Sequence, residues 1–209
     1  MRSLIIITIS LFLLSACSKQ VSEADASLVQ VMVVSEANAR DRPSATKSQI
    51  KRAYLAGALL RGRWVLGGPE NKQRWFRVGS QEALFLSEDQ VLAEGYGLLT
   101  GQLSYPSEYI PEDMKVCAEN ISNGSVVCAK EINTSQARYN LAVPEGTYYI
   151  WSETLDWAPA PDYKNRKVYY TEAVVCGLSI DCENHAKKPI KVTSFSITPG
   201  VDPGDYYDF

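Results

Sequence analysis

The sequence contains a single histidine and lacks the short motifs of common catalytic and cofactor-binding sites. A histidine-based triad would have to use His185, and no Gly-x-Ser-x-Gly nucleophile motif accompanies it. No Gly-rich phosphate loop, dinucleotide fingerprint or Cys-x-x-Cys zinc spacing is present. The acidic stretches lack the alternating spacing of a Ca²⁺-binding loop. The sequence does not exclude a pair of glycosidase carboxylates, because the distance between two such groups depends on the folded structure. We therefore expect a protein that is not an enzyme and that binds no cofactor or metal.

The chain also lacks an apolar run long enough to span a bilayer comfortably. Its uncharged run from Ser3 to Leu14 is rich in Leu and Ile and follows one positive side chain, Arg2. This is the layout of a secretory signal peptide, which is removed from the mature protein.

The residues that end this run indicate a lipid anchor. The tetrapeptide Leu14-Ser15-Ala16-Cys17 resembles the bacterial lipobox, and the resemblance implies acylation of Cys17 and cleavage directly before it. More than one acyl chain anchors a protein stably in a membrane. Ser18 follows where an Asp would signal retention in the inner membrane, so the resemblance implies the outer membrane. An ordinary signal peptide with an accidental cysteine is the alternative.

Four further cysteines remain, an even number in an oxidising compartment. Cys117 and Cys128 flank the hairpin signal Asn123-Gly124, and Cys176 and Cys182 close the short loop CGLSIDC. Three pairings can be drawn, and the short loops favour the local one, because closing a short loop costs less entropy. A zinc site is the competing interpretation, but the spacings and the compartment disfavour it.

Charge divides the chain into two halves. Residues 26–93 carry ten Lys or Arg against six Asp or Glu, and residues 94–209 carry nine against sixteen. This asymmetry, with all four remaining cysteines in the second half, predicts two domains that meet near Glu94-Gly95. The expected organisation is a signal peptide over 1–16, a lipidated tether over 17–25, a first domain over 26–94 and a second over 95–209.

Short strands are predicted throughout the first half. LVQVMVV, GRWVLGG, RWFRVG and EALFLS carry the composition and the alternation of strands. ANARDRPSA, with Asn38, Arg40, Pro43 and Ser44, resembles the opening of bacterial Src-homology-3-like (SH3-like) domains, and the later strands resemble that family's strands in the same order. The resemblance implies a small barrel that binds wall peptides. A competing interpretation is a helix over TKSQIKRAYLAGALLRG, which has a capping box at Thr46 and an apolar stripe.

The second half predicts about seven antiparallel strands. YGLLTGQLSYP, KVCAEN, SVVCAKE, ARYNLAV, GTYYIWSET, KVYYTEAVV and PIKVTSFSI are separated by Pro, Gly, Asn and Asp, the pattern of a β-sandwich. The step from Val143 to Tyr148 resembles the Pro-x-Gly-x-Tyr turn of carboxypeptidase-regulatory-like and transthyretin-like sandwiches. After that turn we expect Tyr148 and Ile150 to face one way and Tyr149 and Trp151 the other.

Two surfaces are candidates for binding. The basic first half suits anionic partners, either the carboxylates of peptidoglycan stem peptides or the phosphates of lipopolysaccharide. Its candidate residues are Arg40, Arg42, Arg63 and Arg77. In the second half, Trp157 and Tyr163 fall in a Pro-rich loop, where exposed aromatic rings could stack on sugars or dock a protein. Trp64 and Trp75 lie on strands of the first half, where core packing is the favoured role.

Together these observations predict an all-β chain, with a small SH3-like barrel followed by an antiparallel transthyretin-like β-sandwich with two disulfides. The expected function is that of a non-catalytic outer-membrane lipoprotein, facing the periplasm or the cell surface, that binds envelope material such as peptidoglycan. Its membrane contact is the lipid on Cys17, and we expect no nucleic-acid partner. The first alternative is a protein-interaction lipoprotein, either an assembly subunit or a hydrolase inhibitor, that uses the sandwich. The second is an envelope hydrolase without a recognised motif.

Overall fold

Alternation of apolar and polar residues produces short strands along most of the chain, and a computed structural model describes residues 28–67, 73–79, 83–106, 109–129, 132–154 and 166–207. The strands of the first half are β1 Val29–Val33, β2 Ala37–Arg40, β3 Ile50–Tyr54, β4 Leu59–Leu66, β5 Arg74–Val78, β6 Leu84–Ser87 and β7 Val91–Ala93. Those of the second half are β8 Tyr96–Gln102, β9 Lys115–Asn120, β10 Val126–Cys128, β11 Ile132–Asn133, β12 Arg138–Pro144, β13 Gly146–Glu153, β14 Val168–Tyr169, β15 Ile190–Val192 and β16 Ile197–Thr198. The prediction of an all-β class is confirmed.

The seven strands of the first half form one antiparallel sheet in the order β3-β2-β6-β5-β4-β1-β7. Every one of these strands contributes a side chain to a single apolar cluster, with Val31, Phe76 and Leu86 fully buried within it. Because successive side chains of a strand point to opposite sides, this cluster defines an inner face of the sheet. The opposite side is called the outer face below.

The second half consists of two sheets packed on a common core. One sheet has the order β10-β9-β13-β14, with β15 also paired to β13, and the other has the order β11-β12-β8-β16. Their facing side chains, among them Leu99, Val116, Leu141 and Ile150, form one buried cluster. The pairs are antiparallel except for β16, which runs parallel to β8. Tyr148 and Ile150 point into this core, as predicted, and Trp151 points away from it.

Two predicted strands are wrong over part of their length. PIKVTSFSI is divided between β15 and β16, which belong to different sheets. KVYYTEAVV forms strand β14 only as far as Tyr169, and a short helix α1 follows over Glu172–Cys176. The helix begins because the Thr171 hydroxyl accepts a hydrogen bond from the Val174 amide at 3.4 Å. It ends at Gly177, whose φ of 108° suits glycine. Local capping therefore outweighs the strand propensity of the valines.

The competing helix over residues 46–62 is also wrong. That segment contains strand β3 and the start of β4, joined by the turn that ends at Gly57. The apolar residues of this segment do not share one helical face. Tyr54 and Leu60 pack against the inner cluster, whereas Ile50 and Leu59 are exposed. The four strands predicted for the first half are all present.

The two groups of sheets meet at the turn Glu94-Gly95, which leads directly from β7 into β8. Gly95 has a φ of 83°, a conformation that favours glycine. On the outer face of β1 and β7, Met32 and Leu92 pack against Leu98 of β8. The turn predicted as a boundary is thus followed at once by a small apolar contact between the two halves.

Both predicted disulfides are present. Cys117 of β9 and Cys128 of β10 are direct cross-strand partners, with Cα atoms 4.0 Å apart. Cys176, the last residue of α1, is bonded to Cys182 in the loop that follows. The first disulfide lies on the side of β9 that faces away from the sandwich core, because its neighbours Val116 and Ala118 point into that core.

Candidate functional site

Three of the four candidate arginines lie in one line across the outer face of the first sheet. Arg63 of β4 is the cross-strand partner of Arg77 on β5, and Arg77 is the partner of Phe85 on β6. Phe85 is in turn the partner of Arg40 on β2. Since partners in paired strands project to the same side, these four residues form a continuous set, called the arginine row below. With strands about 4.8 Å apart it spans about 14 Å.

The inner cluster determines which way the row points. Leu84 and Leu86 flank Phe85 and are buried in the inner cluster, and Phe76 and Val78 flank Arg77 and pack in the same cluster. The residues between them must then project outward. Gly62, next to Arg63, allows close approach of strands β4 and β5, because a Cβ atom there would collide with the carbonyl oxygen of Arg77. The row is therefore held on a tightly paired part of the sheet.

Two arginines of the row, Arg77 and Arg40, have no anionic partner among the described residues. In the described residues no carboxylate forms an ion pair with Arg77, and its Nε atom is buried without a hydrogen-bond acceptor. Arg40 donates from Nη1 to the Ser48 hydroxyl at 3.2 Å, a neutral partner. A buried donor without an acceptor costs about 1–3 kcal/mol. An anion bound by the guanidinium of Arg77 would offset the charges of the row, and one that accepts a hydrogen bond from Nε would also remove that cost.

A second donor on the same face of β5 is also without an acceptor. Trp75 lies two residues before Arg77, so both project outward. The indole is only 2% exposed, and its Nε1 atom has no hydrogen-bond partner in the described structure. Trp75 is therefore buried, but outside the apolar cluster of the inner face. Trp64 does belong to the inner side, where its ring meets Phe76 edge-on at 5.4 Å.

The remaining basic candidates are placed differently. Arg42 follows β2 in a bend, its side chain is 63% exposed, and its Nε atom lies 3.7 Å from Asp41. Arg74 on β5 faces the inner side, where it stacks on Trp64 at 4.5 Å and pairs with Glu88 at 3.5 Å. These two cations already have partners, unlike Arg77.

The aromatic loop residues Trp157 and Tyr163 lie outside the described residues, as does Cys17. A different aromatic group is described on the sandwich, on the outward side of strands β13 and β14. Lys167 lies 4.3 Å from the ring centre of Trp151, and Lys187 lies 3.8 Å from that of Tyr169 and 5.8 Å from that of Tyr149. Such contacts hold lysines against aromatic faces. This group is called the lysine–aromatic patch below.

Two further features of the structure concern metal binding and membrane crossing. Within the described ranges no group of three or more His, Cys, Asp or Glu side chains is arranged to hold a metal ion. No helix in the same ranges has the length and apolar character needed to cross a membrane.

Comparison with known proteins found no counterpart for this arrangement: no family model, no curated protein and no solved structure matches the chain.

Proposed function

We propose that the protein is a non-catalytic lipoprotein, anchored in the outer membrane through Cys17, whose arginine row binds anionic groups of the cell envelope. The observation that carries the proposal is Arg77, half-buried at the centre of the row and without an anionic partner in the described residues. The carboxylates of peptidoglycan stem peptides are the proposed ligands.

The chemistry of the row suits carboxylates. A guanidinium group offers planar donors that match the two oxygens of a carboxylate, and charge-assisted hydrogen bonds of this kind are stronger than neutral ones. Phe85 separates Arg77 from Arg40 and offers an apolar ring between the two charges. A ligand with carboxylates on an aliphatic backbone would use both kinds of contact.

The proposed fold of each half is consistent with this role. We propose that the first sheet is an SH3-like barrel, because side chains from all seven strands meet in one cluster, as expected when a sheet curves around its core. We propose that the second half is a transthyretin-like sandwich. The support is the tight step after Pro144, where the Tyr148 hydroxyl donates to the Pro144 carbonyl at 2.8 Å.

Binding would be bivalent. A lipid on Cys17 and an envelope polymer on the arginine row raise the local concentration of each contact, so neither has to be strong alone. The half-buried arginine row would then bind in a salt-dependent manner.

Chemical modification of the ligand tests the proposal. Purified peptidoglycan sacculi, untreated or with their carboxyl groups converted to neutral amides, are mixed with the protein and sedimented. We expect the protein to pellet with untreated sacculi and to remain in solution with amidated ones. Equal pelleting with both would contradict carboxylate recognition.

A second candidate function is supported by the lysine–aromatic patch. A protein-interaction lipoprotein, either an assembly subunit or a hydrolase inhibitor, would use this side of the sandwich, where half-exposed Tyr149 and Tyr169 lie under Lys187. The Tyr169→Ser variant should lose binding of such a partner, and the Arg77→Gln variant should retain it. The opposite pattern would assign the partner to the arginine row.

A further inference from the structure

A cleft lies beside the second disulfide, at the opposite end of the chain from the arginine row. Its volume is about 450 Å³, within the usual range of about 300–1,000 Å³ for small-molecule sites. Its apolar wall comes from Leu178, Ile180 and Tyr207, and its polar side from Glu183 and His185. The cleft therefore combines an aliphatic surface with a small number of polar groups.

The imidazole of His185 is held in one orientation. Its Nδ1 atom lies 2.8 Å from Oδ2 of Asp205, whose side chain is 0% exposed. The same oxygen accepts the Thr171 hydroxyl at 2.5 Å, and Oδ1 accepts the Tyr207 amide at 3.2 Å. Because Asp205 acts as the acceptor in these bonds, Nδ1 carries the proton. In the neutral imidazole the Nε2 lone pair is then available to a ligand.

The arrangement lacks the nucleophile of a catalytic triad. Ser179 also lines the cleft, but its hydroxyl contacts the Cys182 sulfur at 3.2 Å. In the described residues no hydroxyl or thiol forms a hydrogen bond with Nε2 of His185, and a triad requires that bond. The geometry therefore favours ligand binding over acyl transfer.

The charge around the cleft selects the ligand. Asp181 and Glu183 flank Cys182, and the nearest cations along the chain, Lys187 and Lys188, contact Tyr169 and Glu172 and do not line the cleft. The buried carboxylate of Asp205 lies directly behind the imidazole. A cationic donor is attracted to such a site, whereas an anion is repelled.

We propose that this cleft binds a primary ammonium group carried on a short aliphatic chain. The ammonium donates to Nε2 of His185 and is attracted by Glu183, and the aliphatic part packs against Leu178 and Ile180. The site is separate from the arginine row and does not depend on the function proposed for it.

The single histidine makes a direct test practical. Histidine labelled with ¹³C and ¹⁵N gives one set of ring signals, because His185 is the only histidine in the chain. The whole chain, solubilised in nonionic detergent, is titrated with n-butylammonium, n-butanol and n-butyrate, which share one apolar chain. We expect saturable shifts with n-butylammonium, movement of the unprotonated Nε2 signal as it accepts a hydrogen bond, and weaker binding of the other two.

Variants separate the contribution of charge. Glu183 is exposed, so Glu183→Gln is expected to fold and to weaken n-butylammonium binding about two- to fivefold. Glu112→Gln, also exposed but not part of the cleft lining, is the matched control and should leave binding unchanged. Nα-acetyl-lysine methylamide carries the same primary ammonium group on a lysine side chain with a peptide-like backbone. Tighter binding than n-butylammonium would identify a protein lysine as the ligand, and equal binding a free amine.

Several results would overturn the proposal. These are tighter binding of n-butyrate, equal binding of n-butanol, shifts that do not saturate, or a proton on Nε2 instead of Nδ1. Equal effects of Glu183→Gln and Glu112→Gln would also contradict it.

Discussion

Arg63 and Arg77 face each other directly across strands β4 and β5. Like charges at facing positions destabilise a sheet, so an anion that binds both side chains also stabilises the fold. The proposed function can therefore be tested through thermal stability, which can be measured with a model anion and without knowledge of the natural ligand.

A small polycarboxylate should therefore raise the melting temperature. Citrate at ten times its dissociation constant would stabilise the folded state by about 1.4 kcal/mol, which corresponds to about 4 °C for a chain of this size. Excluded salts stabilise proteins in general, so the comparison is between variants. We expect a smaller shift for Arg77→Gln and an unchanged shift for Arg138→Gln, which alters an exposed arginine of the sandwich. Equal shifts in the two variants would contradict binding at the row.

The two disulfides predict a specific peptide map and two stability losses. Non-reducing digestion should recover Cys117 linked to Cys128 and Cys176 linked to Cys182, as in the structure. By loop entropy, removing the first should cost about 3 kcal/mol and removing the second about 2 kcal/mol. Urea denaturation of the paired Cys→Ala variants measures these losses. Any cross-linked peptide joining the two pairs would refute this pairing.

The first disulfide shows what could be predicted from the sequence. Cys117 and Cys128 belong to one hairpin, so their pairing follows from a local turn and a short separation. The arginines could be chosen by charge, but their alignment could not be predicted. Arg40 meets Phe85 through pairing of β2 with β6, which the sequence separates widely, and one residue of register slip would have turned either side chain inward.

The same contrast applies to the second half. Helix α1 was missed although Thr171 and Gly177, its two caps, are visible in the sequence, because the valines between them favour a strand. Asp205 was missed for a different reason. Its contact with His185 joins the end of the chain to a loop twenty residues earlier, and no local pattern signals it.

Burial of Tyr139 should make stability depend on alkaline pH. Burial, and secondarily the charge of Asp202, raise the pKa of Tyr139 well above its usual value near 10. The unfolded chain therefore loses its phenolic proton first. The stabilising contribution is complete below about pH 10 and is lost above it, at up to about 1.4 kcal/mol per pH unit.

Tyr139→Phe tests this dependence. The variant should be less stable at pH 7 by about 1 kcal/mol, because the Val201 carbonyl loses a 2.5 Å hydrogen bond from the hydroxyl. Its free energy of unfolding should then fall less steeply than that of the wild type between pH 10 and 11.5. The free energies are measured by urea denaturation at each pH. An equal decrease with pH in the variant and the wild type would show that Tyr139 is not the group responsible.

The lipid anchor predicts a loss of acylation on a single substitution. Cys17→Ser should leave the precursor unprocessed and should prevent the incorporation of labelled palmitate, because the thiol is the expected attachment point. Ser18→Ala is the matched control and should be labelled normally. Label that still enters Cys17→Ser would contradict the lipobox interpretation.

Sedimentation with peptidoglycan sacculi over a series of salt concentrations tests the central claim most directly. Wild type and Arg138→Gln should pellet at low salt and be released as salt rises, because the contact is electrostatic. The double variant Arg63→Gln/Arg77→Gln should stay in solution at every salt concentration. Pelleting of the double variant to the same extent as the wild type, or no pelleting of the wild type at low salt, would contradict wall binding by the arginine row.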